Sequence, residues 1–473
     1  MALDNPRSST RTASKPPEAW SPLMRLARAA GRPLERFLQI EAASGILLLV
    51  AAAVALTIAN SPWAEAYAAF WHTDVGFQLG TLRFARSLEW VVNDGLMVIF
   101  FFVVGLEIRR EIHRGELSEW RRAALPAAAA LGGMIAPALL YLSVASAPET
   151  YSGWGVPMAT DIAFAVGILA LLGKRVPAAL RVLLLALAVI DDLGAILVIA
   201  LFYSSGLALW GLALAALGIG LIFAMQRFGV RAKLAYVPPA VVAWAGVYAA
   251  GIHPTIAGVV VGMITPVRAW FGPEGFLDQL RAALAPLREL DLTALPAHDL
   301  AETLRGVDRA RREAMSPGES LIESLHPWVA YGIMPLFALA NAGVSLGGVG
   351  WDAGSQHALL GIVLGLVLGK PIGVLLATWL TLKLRVASLP LGLGFRHLLV
   401  LGVVAGVGFT MALFVAQLAF SDLRLLAAAK LGVLAASGLA AVLALALGRA
   451  LLGIAVVPGA AESPDEAERS TVA

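Results

Sequence analysis

Twelve apolar runs, most of them close to 20 residues long, succeed one another along this chain. About 20 apolar residues are what an α-helix needs to cross a bilayer. Lipid offers no partner to a backbone N–H or C=O, so such a run must satisfy its own, which a helix does and an open strand does not. The runs cover 41–60, 88–108, 123–145, 154–172, 178–203, 206–225, 234–251, 252–267, 326–346, 357–382, 395–419 and 424–453. With 59% hydrophobic and 14% charged residues over 473 positions, the chain lacks the surface charge of a soluble domain. The expected fold class is an all-α polytopic membrane protein of about 12 transmembrane helices.

The basic residues orient these spans. With both termini cytoplasmic, 30 of the 35 Lys and Arg fall in inner tails, inner loops or the inner ends of the runs. Three lie outside or at an outer end (Arg83, Arg86, Arg424) and two further into spans (Lys370, Lys430). A bias of that size fixes orientation, so the net charge of +3 reports topology and not a nucleic-acid partner. Three parts are expected: a basic cytoplasmic tail at 1–36, a transmembrane domain at 37–457 and a disordered cytoplasmic tail at 458–473. Within the domain, 61–87 lies outside, where VGFQLGTLRF alternates around Gly80-Thr81 as a β-hairpin does. Residues 268–325 form a long cytoplasmic loop in which LDQLRAALAPLREL and HDLAETLRGVDRARREA read as helices. No cysteine is present, which excludes disulfides, thiolate metal sites and thiol catalysis.

Charged residues inside the runs carry the chemistry. LLLALAVIDDLGAILVIALFY, residues 183–203, places Asp191 and Asp192 at mid-span. Each costs roughly 2.5–3.5 kcal/mol on insertion scales, so the pair costs on the order of 5–7. Asp161 in VPMATDIAFAVG and Lys370 in GLVLGKPIGVLL lie equally deep. Asp94 sits nearer the outer end of its span and Glu107 at the cytoplasmic end. A structural ion pair would absorb one Asp and the Lys, leaving two carboxylates with no basic partner in the membrane; such acids mark proton or cation pathways. Adjacent helix residues point about 100° apart, so Asp191 and Asp192 can border one cavity and titrate as a coupled system. Carboxylates, Thr160 and freed backbone carbonyls supply the oxygen ligands that sodium or lithium wants.

Two of the runs should be broken. Gly155 and Pro157 precede Thr160-Asp161, and GVVAGVGFTMALF carries Gly402, Gly406, Gly408 and Thr410. Each break falls in the middle span of a three-span group, 123–203 and 357–453. Matching interruptions point to the binding site of an inverted-repeat transporter, an architecture of which NhaA-type antiporters are themselves an example. Asp161 is placed to neutralise like-signed helix-dipole ends there.

At these residues the sequence resembles the bacterial NhaA-type sodium/proton antiporters. The resemblance rests on EAASGILLL, NDGLMVIFFFVVGLEIRRE, VPMATDIAFAVG, AVIDDLGAI, GIHPTIAGVVVG, LHPWVAYGIMPLFALANAGV, LGKPIGV and GVGFTMALFVAQLAF, spread over 36–267 and 322–453. It implies twelve spans, inverted three-span repeats and two discontinuous helices crossing at mid-membrane. It implies Asp192 as main ligand of a transient Na+ or Li+. Asp191 would be the second proton-carrying acid, paired with Lys370 when no cation is bound. Thr160 and Asp161 would stand beside the site, with Asp94 accessory. Glu107, Arg110 and Glu111 match a cytoplasmic-mouth cluster tied to pH activation, and His253 a position that tunes the pH profile. Just before LHPW the chain reads LIES where the family pattern has a Glu-His pair, so Glu323 does not align with its acidic pH sensor.

The expected function is electrogenic export of Na+ (and Li+) in exchange for protons across a bacterial inner membrane. It needs no cofactor or nucleic acid, makes the protein a transporter and not an enzyme, and comes with a homodimer through the 61–87 hairpin. An intramembrane aspartyl protease would place its acids on separate helices, within a GxGD-like motif absent here. An organic-acid symporter on a related fold would need a cationic pocket, for which Lys370 is the one mid-membrane candidate.

Overall fold

The computed structural model describes residues 43–80, 82–204, 206–230, 232–267, 273–289, 303–308, 314–347 and 351–453. The tails expected at 1–36 and 458–473 lie outside the described residues, which are predominantly helical. The first apolar run forms α1 (Ala43–Ala59), which turns through 118° into the short α2 (Ala64–Trp71). The expected hairpin follows as β1 (Asp74–Leu79) and β2 (Leu82–Ser87), antiparallel with Phe77 opposite Phe84. Gly80 supplies the positive φ, 60°, that the turn between them demands.

Beyond the hairpin come α3 (Leu88–Arg114), α4 (Trp120–Val144), the pair α5 (Pro148–Met158) and α6 (Ile162–Arg175), and α7 (Ala178–Phe202). Next are α8 (Leu209–Arg227), α9 (Val237–Ala249), α10 (Thr255–Ile264) and α11 (Pro273–Glu289). A continuous α12 occupies 317–341, followed by α13 (Ala353–Lys383), the pair α14 (Phe395–Ala405) and α15 (Phe409–Ala419), and α16 (Leu423–Leu451). Among the described residues six helices are individually long and apolar enough to cross a membrane, and three bent pairs are so when taken together. The runs expected at 234–251 and 252–267 lie on the shorter α9 and α10. Helix α12 begins at Pro317, ahead of the apolar run at 326, behind a capping box between Ser316 and Glu319. α11 matches the first helix expected in the long loop; the second is described only over 303–308, where it is helical.

Small residues bring helix backbones together. A Cβ on Gly105 of α3 would stand 2.5 Å from the Val259 carbonyl of α10, and one on Gly262 would stand 2.5 Å from the Phe102 carbonyl. α4 and α13 meet in the same way at Gly132 and Gly373. Such close approach is how helices gain packing energy in lipid, where burial of apolar surface adds little.

Prolines and glycines also explain where helices widen or break. π-helical turns span Val329–Ile333 and Gly365–Gly369. Each precedes a proline (Pro335, Pro371) whose ring would crowd the carbonyl four residues back and which has no N–H to donate. A third π-helical turn, Val91–Leu96, holds Asn93 and Asp94 within α3. The breaks expected near Pro157 and Gly406 are present: α5 and α6 meet at 47°, α14 and α15 at 46°.

Candidate functional site: a crossing of two broken helices

The two breaks touch each other. Asp161 ends the first break as N-cap of α6, and its Oδ1 accepts the Phe164 N–H at 3.0 Å. Its Oδ2 accepts from the Thr410 N–H at 3.2 Å and the Thr410 hydroxyl at 2.5 Å, in the first turn of α15. One carboxylate thus caps the N-terminal ends of two half-helices, whose orphan N–H groups and positive dipole ends favour an anion. The opposite ends are served as well. The Asp161 N–H donates to the Val407 carbonyl at 2.8 Å, and the Thr160 hydroxyl to the Ala405 carbonyl at 2.9 Å.

Lys370 completes this pattern. Directly after the π-turn of α13, its Nζ donates to the Met158 carbonyl at the C-terminal end of α5, where a cation is favoured. The same ammonium donates to Asp191 Oδ2 at 2.8 Å. Lys370 is 0% exposed, Asp191 1% and Asp192 2%. Asp191 Oδ1 and Asp192 Oδ2 are buried with no hydrogen-bond partner. Buried polar atoms are nearly always satisfied. These two carboxylate oxygens, on neighbouring residues of α7, have the chemistry to accept a proton or a hard cation.

The structure thus brings together Asp161, Thr160, Asp191, Asp192 and Lys370. Glu107 is half-buried on α3. Arg110 and Glu111 stand at the end of α3. Glu111 Oε1 accepts the Glu116 N–H at 2.7 Å, and a Cβ on Gly115 would collide with that carboxylate. Arg110 lines a cavity of about 560 Å³ with Met315, Glu319, Ile322, Glu323, His326 and Pro327. Glu323 thus shares a cavity with Arg110 despite its unusual sequence context. Arg114 pairs with Glu319 at 2.9 Å and closes α3 onto α12.

His253 stands apart from Glu107, Arg110 and Glu111. It sits just before α10, with Nε2 3.3 Å from Asp94 Oδ1 and Nδ1 2.8 Å from Thr255 Oγ1. Asp94 is 13 residues from Glu107, about 20 Å along α3 at 1.5 Å per residue. Sequence spacing hid this, because α10 runs alongside α3 through the glycine contacts and sets its first residue against the far end.

Thr410, singled out in the second broken run, is the second residue to donate to Asp161. Three amides not singled out in the sequence, Asn93, Asn341 and Gln417, form a linked set. Asn341 Nδ2 donates to Asn93 Oδ1 at 2.7 Å, Asn93 Nδ2 donates to Asn341 Oδ1 at 3.3 Å, and Gln417 Nε2 also donates to Asn341 Oδ1. The available signal was an amide inside each of three apolar stretches, WVVNDG, FALANAG and FVAQLAF.

Comparison with known proteins agrees with this architecture. The family model described as Na+/H+ antiporter 1 matches residues 35–447. The chain belongs to this family. Among its Na+/H+ antiporter relatives, the Na(+)/H(+) antiporter NhaA 2 of Myxococcus xanthus is 71% identical over 456 residues, covering 96% of this chain and 97% of that protein. The protein of the same name from Sorangium cellulosum is 58% identical, over 96% and 98% of the two chains. Na(+)/H(+) antiporter NhaA of a Janthinobacterium species is 51% identical, over 89% and 94%. A solved structure, the sodium proton antiporter MjNhaP1 of Methanocaldococcus jannaschii, overlaps at 14% identity and a TM-score of 0.47, covering 91% of this chain and 99% of that one. That structural likeness is too slight to bear on the site.

Proposed function

We propose that this chain exchanges sodium, and lithium, for protons at the crossing of its broken helices. The observation that carries the reading is a buried Asp191–Lys370 pair beside an Asp192 oxygen with no partner. A cation entering this site takes Asp192 as its main ligand and Asp191 as its second. Thr160 Oγ keeps a lone pair free while its proton serves Ala405. To ligate, Asp191 must leave the ammonium of Lys370, and the positive charge already there must be given up as a proton. One proton from Asp192 and one from the Asp191–Lys370 pair are exchanged for one sodium, so each cycle moves net charge. Competition of this kind needs no cofactor; the ions are cargo.

The frame around the site is read consistently. Twelve crossings with both termini in the cytoplasm of a bacterial cell agree with the distribution of basic residues. Inverted repeats over 123–203 and 357–453 are supported by breaks of nearly equal angle. The mouth cluster of Glu107, Arg110 and Glu111 stands at the cytoplasmic end, and the cavity beside Arg110 is the cytoplasmic entrance. The two-stranded hairpin leaves an outer edge on each strand, a template for pairing with a second copy.

Reconstitution in liposomes with an internal pH-sensitive dye tests the reading. Added sodium or lithium should drive proton efflux, faster when valinomycin and potassium clamp the voltage. Absence of cation-driven proton movement at neutral and alkaline pH would overturn it. Proton movement driven by an organic acid would favour the symporter instead, although Lys370 is already engaged by Asp191 and Met158.

A further inference from the structure

Helix α15 is gripped at both ends. At its start Thr410 donates twice to Asp161. Four residues on, Phe414 is fully buried, and the His253 ring stands edge-on to it at 5.2 Å while its Nε2 reaches Asp94. Three residues further, Gln417 donates to Asn341. Spacings of four and three put Thr410, Phe414 and Gln417 on one face of the helix, about 10 Å from first to last. Asn341 is 0% exposed; it also donates to the Phe337 carbonyl at 3.0 Å and exchanges bonds with Asn93 in the π-turn of α3. The amides therefore join three elements: α3, α12 and the second half of a broken helix. They stand at the end of α3 opposite the cavity that Arg110 lines.

We propose that Asn93, Asn341 and Gln417 are a latch on the outer side of the ion site. They are positioning residues that hold α15 in the register where Thr410 meets Asp161, and they part when the site opens outward. The proposal rests on the exchange reading and on its orientation of the spans. A buried amide in lipid keeps its partners because hydrocarbon offers no substitutes. Tilting α15 at the crossing would pull Gln417 from Asn341 unless α3 and α12 moved with it. The π-turn around Asn93 gives α3 a place to change register without unfolding. The closed latch favours the form open to the cytoplasm, so loosening it should raise the share of outward-facing protein. A ligand's apparent affinity on one side scales with the fraction of protein facing that side.

The experiment compares full-length protein in right-side-out and everted membrane vesicles from a host without its own sodium/proton exchangers, using sodium alone as probe. Gln417→Met keeps the side-chain length and removes the donor. Its half-saturating sodium concentration should fall in right-side-out vesicles by about fivefold, the equivalent of one net hydrogen bond. It should rise, by less, in everted vesicles. Asn93→Leu reads the same contact from α3 and should shift both values in the same directions. It stands in if Gln417→Met does not accumulate. Equal changes on both sides, or lowered thermal stability with both values at wild type, would reduce the amides to packing and overturn the latch. No exchange by the wild-type chain in either vesicle would overturn the antiport reading and the latch together. Exchange by wild type with unsplit variants would overturn the latch alone.

Discussion

Lys370→Met is the substitution that most directly measures what holds the crossing together. Methionine keeps much of the volume and removes the charge, so little cavity is created. At 2.8 Å the pair with Asp191 attracts by about 6 kcal/mol at an effective dielectric of 20. That is more than the variant should lose, because Asp191 can take up a proton once its partner is gone. Breaking a buried pair from one side typically costs about 3–5 kcal/mol. The Met158 carbonyl loses its donor too, which places the expectation toward the upper part of that range. The assay is equilibrium unfolding in mixed detergent micelles, where free energies of single and double variants can be compared. Lys370→Met combined with Asp191→Asn should recover most of the loss, since no unpaired charge is left behind. An unchanged single variant, or a double variant no more stable than the single, would refute the pairing as the source of stability.

Asp192→Asn should abolish sodium-driven proton movement in liposomes while leaving unfolding within about 1 kcal/mol of wild type, because Asp192 Oδ2 makes no bond that would be lost. Transport at wild-type rate would remove Asp192 from the mechanism. Gly105→Ala should destabilise by about 1–3 kcal/mol, since its methyl would press on the Val259 carbonyl and part α3 from α10; unfolding at the wild-type midpoint would show that the helices yield freely. Where α3 meets the start of α12, partial burial opposes ionisation of Glu319, but the Ser316 bonds and the Arg114 charge outweigh it and hold the carboxyl below its usual 4.5. A carboxyl depressed in the folded state stabilises above its unfolded value and loses that contribution as pH falls through the folded one. Amide protection factors at 318–320, taken relative to the intrinsic exchange rate at each pH, should therefore fall below about pH 4.5 in wild type and show no such fall in Glu319→Gln; identical profiles would contradict this.

What the sequence made legible was whatever is local. Apolar runs gave helices, the alternation around Gly80 gave the hairpin, and Gly155, Pro157 and Gly406 gave the breaks. The depth of Asp161, Asp191, Asp192 and Lys370 in their runs singled them out before any contact was known. Partners were harder to read. Thr410 lies 249 residues from Asp161 and Asn341 lies 248 from Asn93, and no periodicity encodes which polar residue will face which across a packed interface. The π-turns were equally silent: two stand before Pro335 and Pro371, but the third, Val91–Leu96, has no proline beyond it, so no residue type marks all three. The contact of His253 with Asp94 was silent for a related reason: it exists only because α10 lies against α3.

Three acids and one lysine are buried at the crossing, yet they are not equally free to change state. Both oxygens of Asp161 are occupied, by two backbone N–H groups and a hydroxyl drawn from two different helices. A proton on Oδ2 would have to displace one of the two Thr410 donors, and one on Oδ1 would weaken the charge-assisted bond that caps α6. On the exchange reading, Asp161 is then part of the fixed scaffold of charge, and only Asp191, with Lys370, and Asp192 can change occupancy during a cycle. That sets a ceiling of two protons per turnover. The thermodynamic gearing of the exchanger, meaning how steep a sodium gradient a given proton-motive force can sustain, would thus be limited by the capping of two helix ends that never touch the cargo.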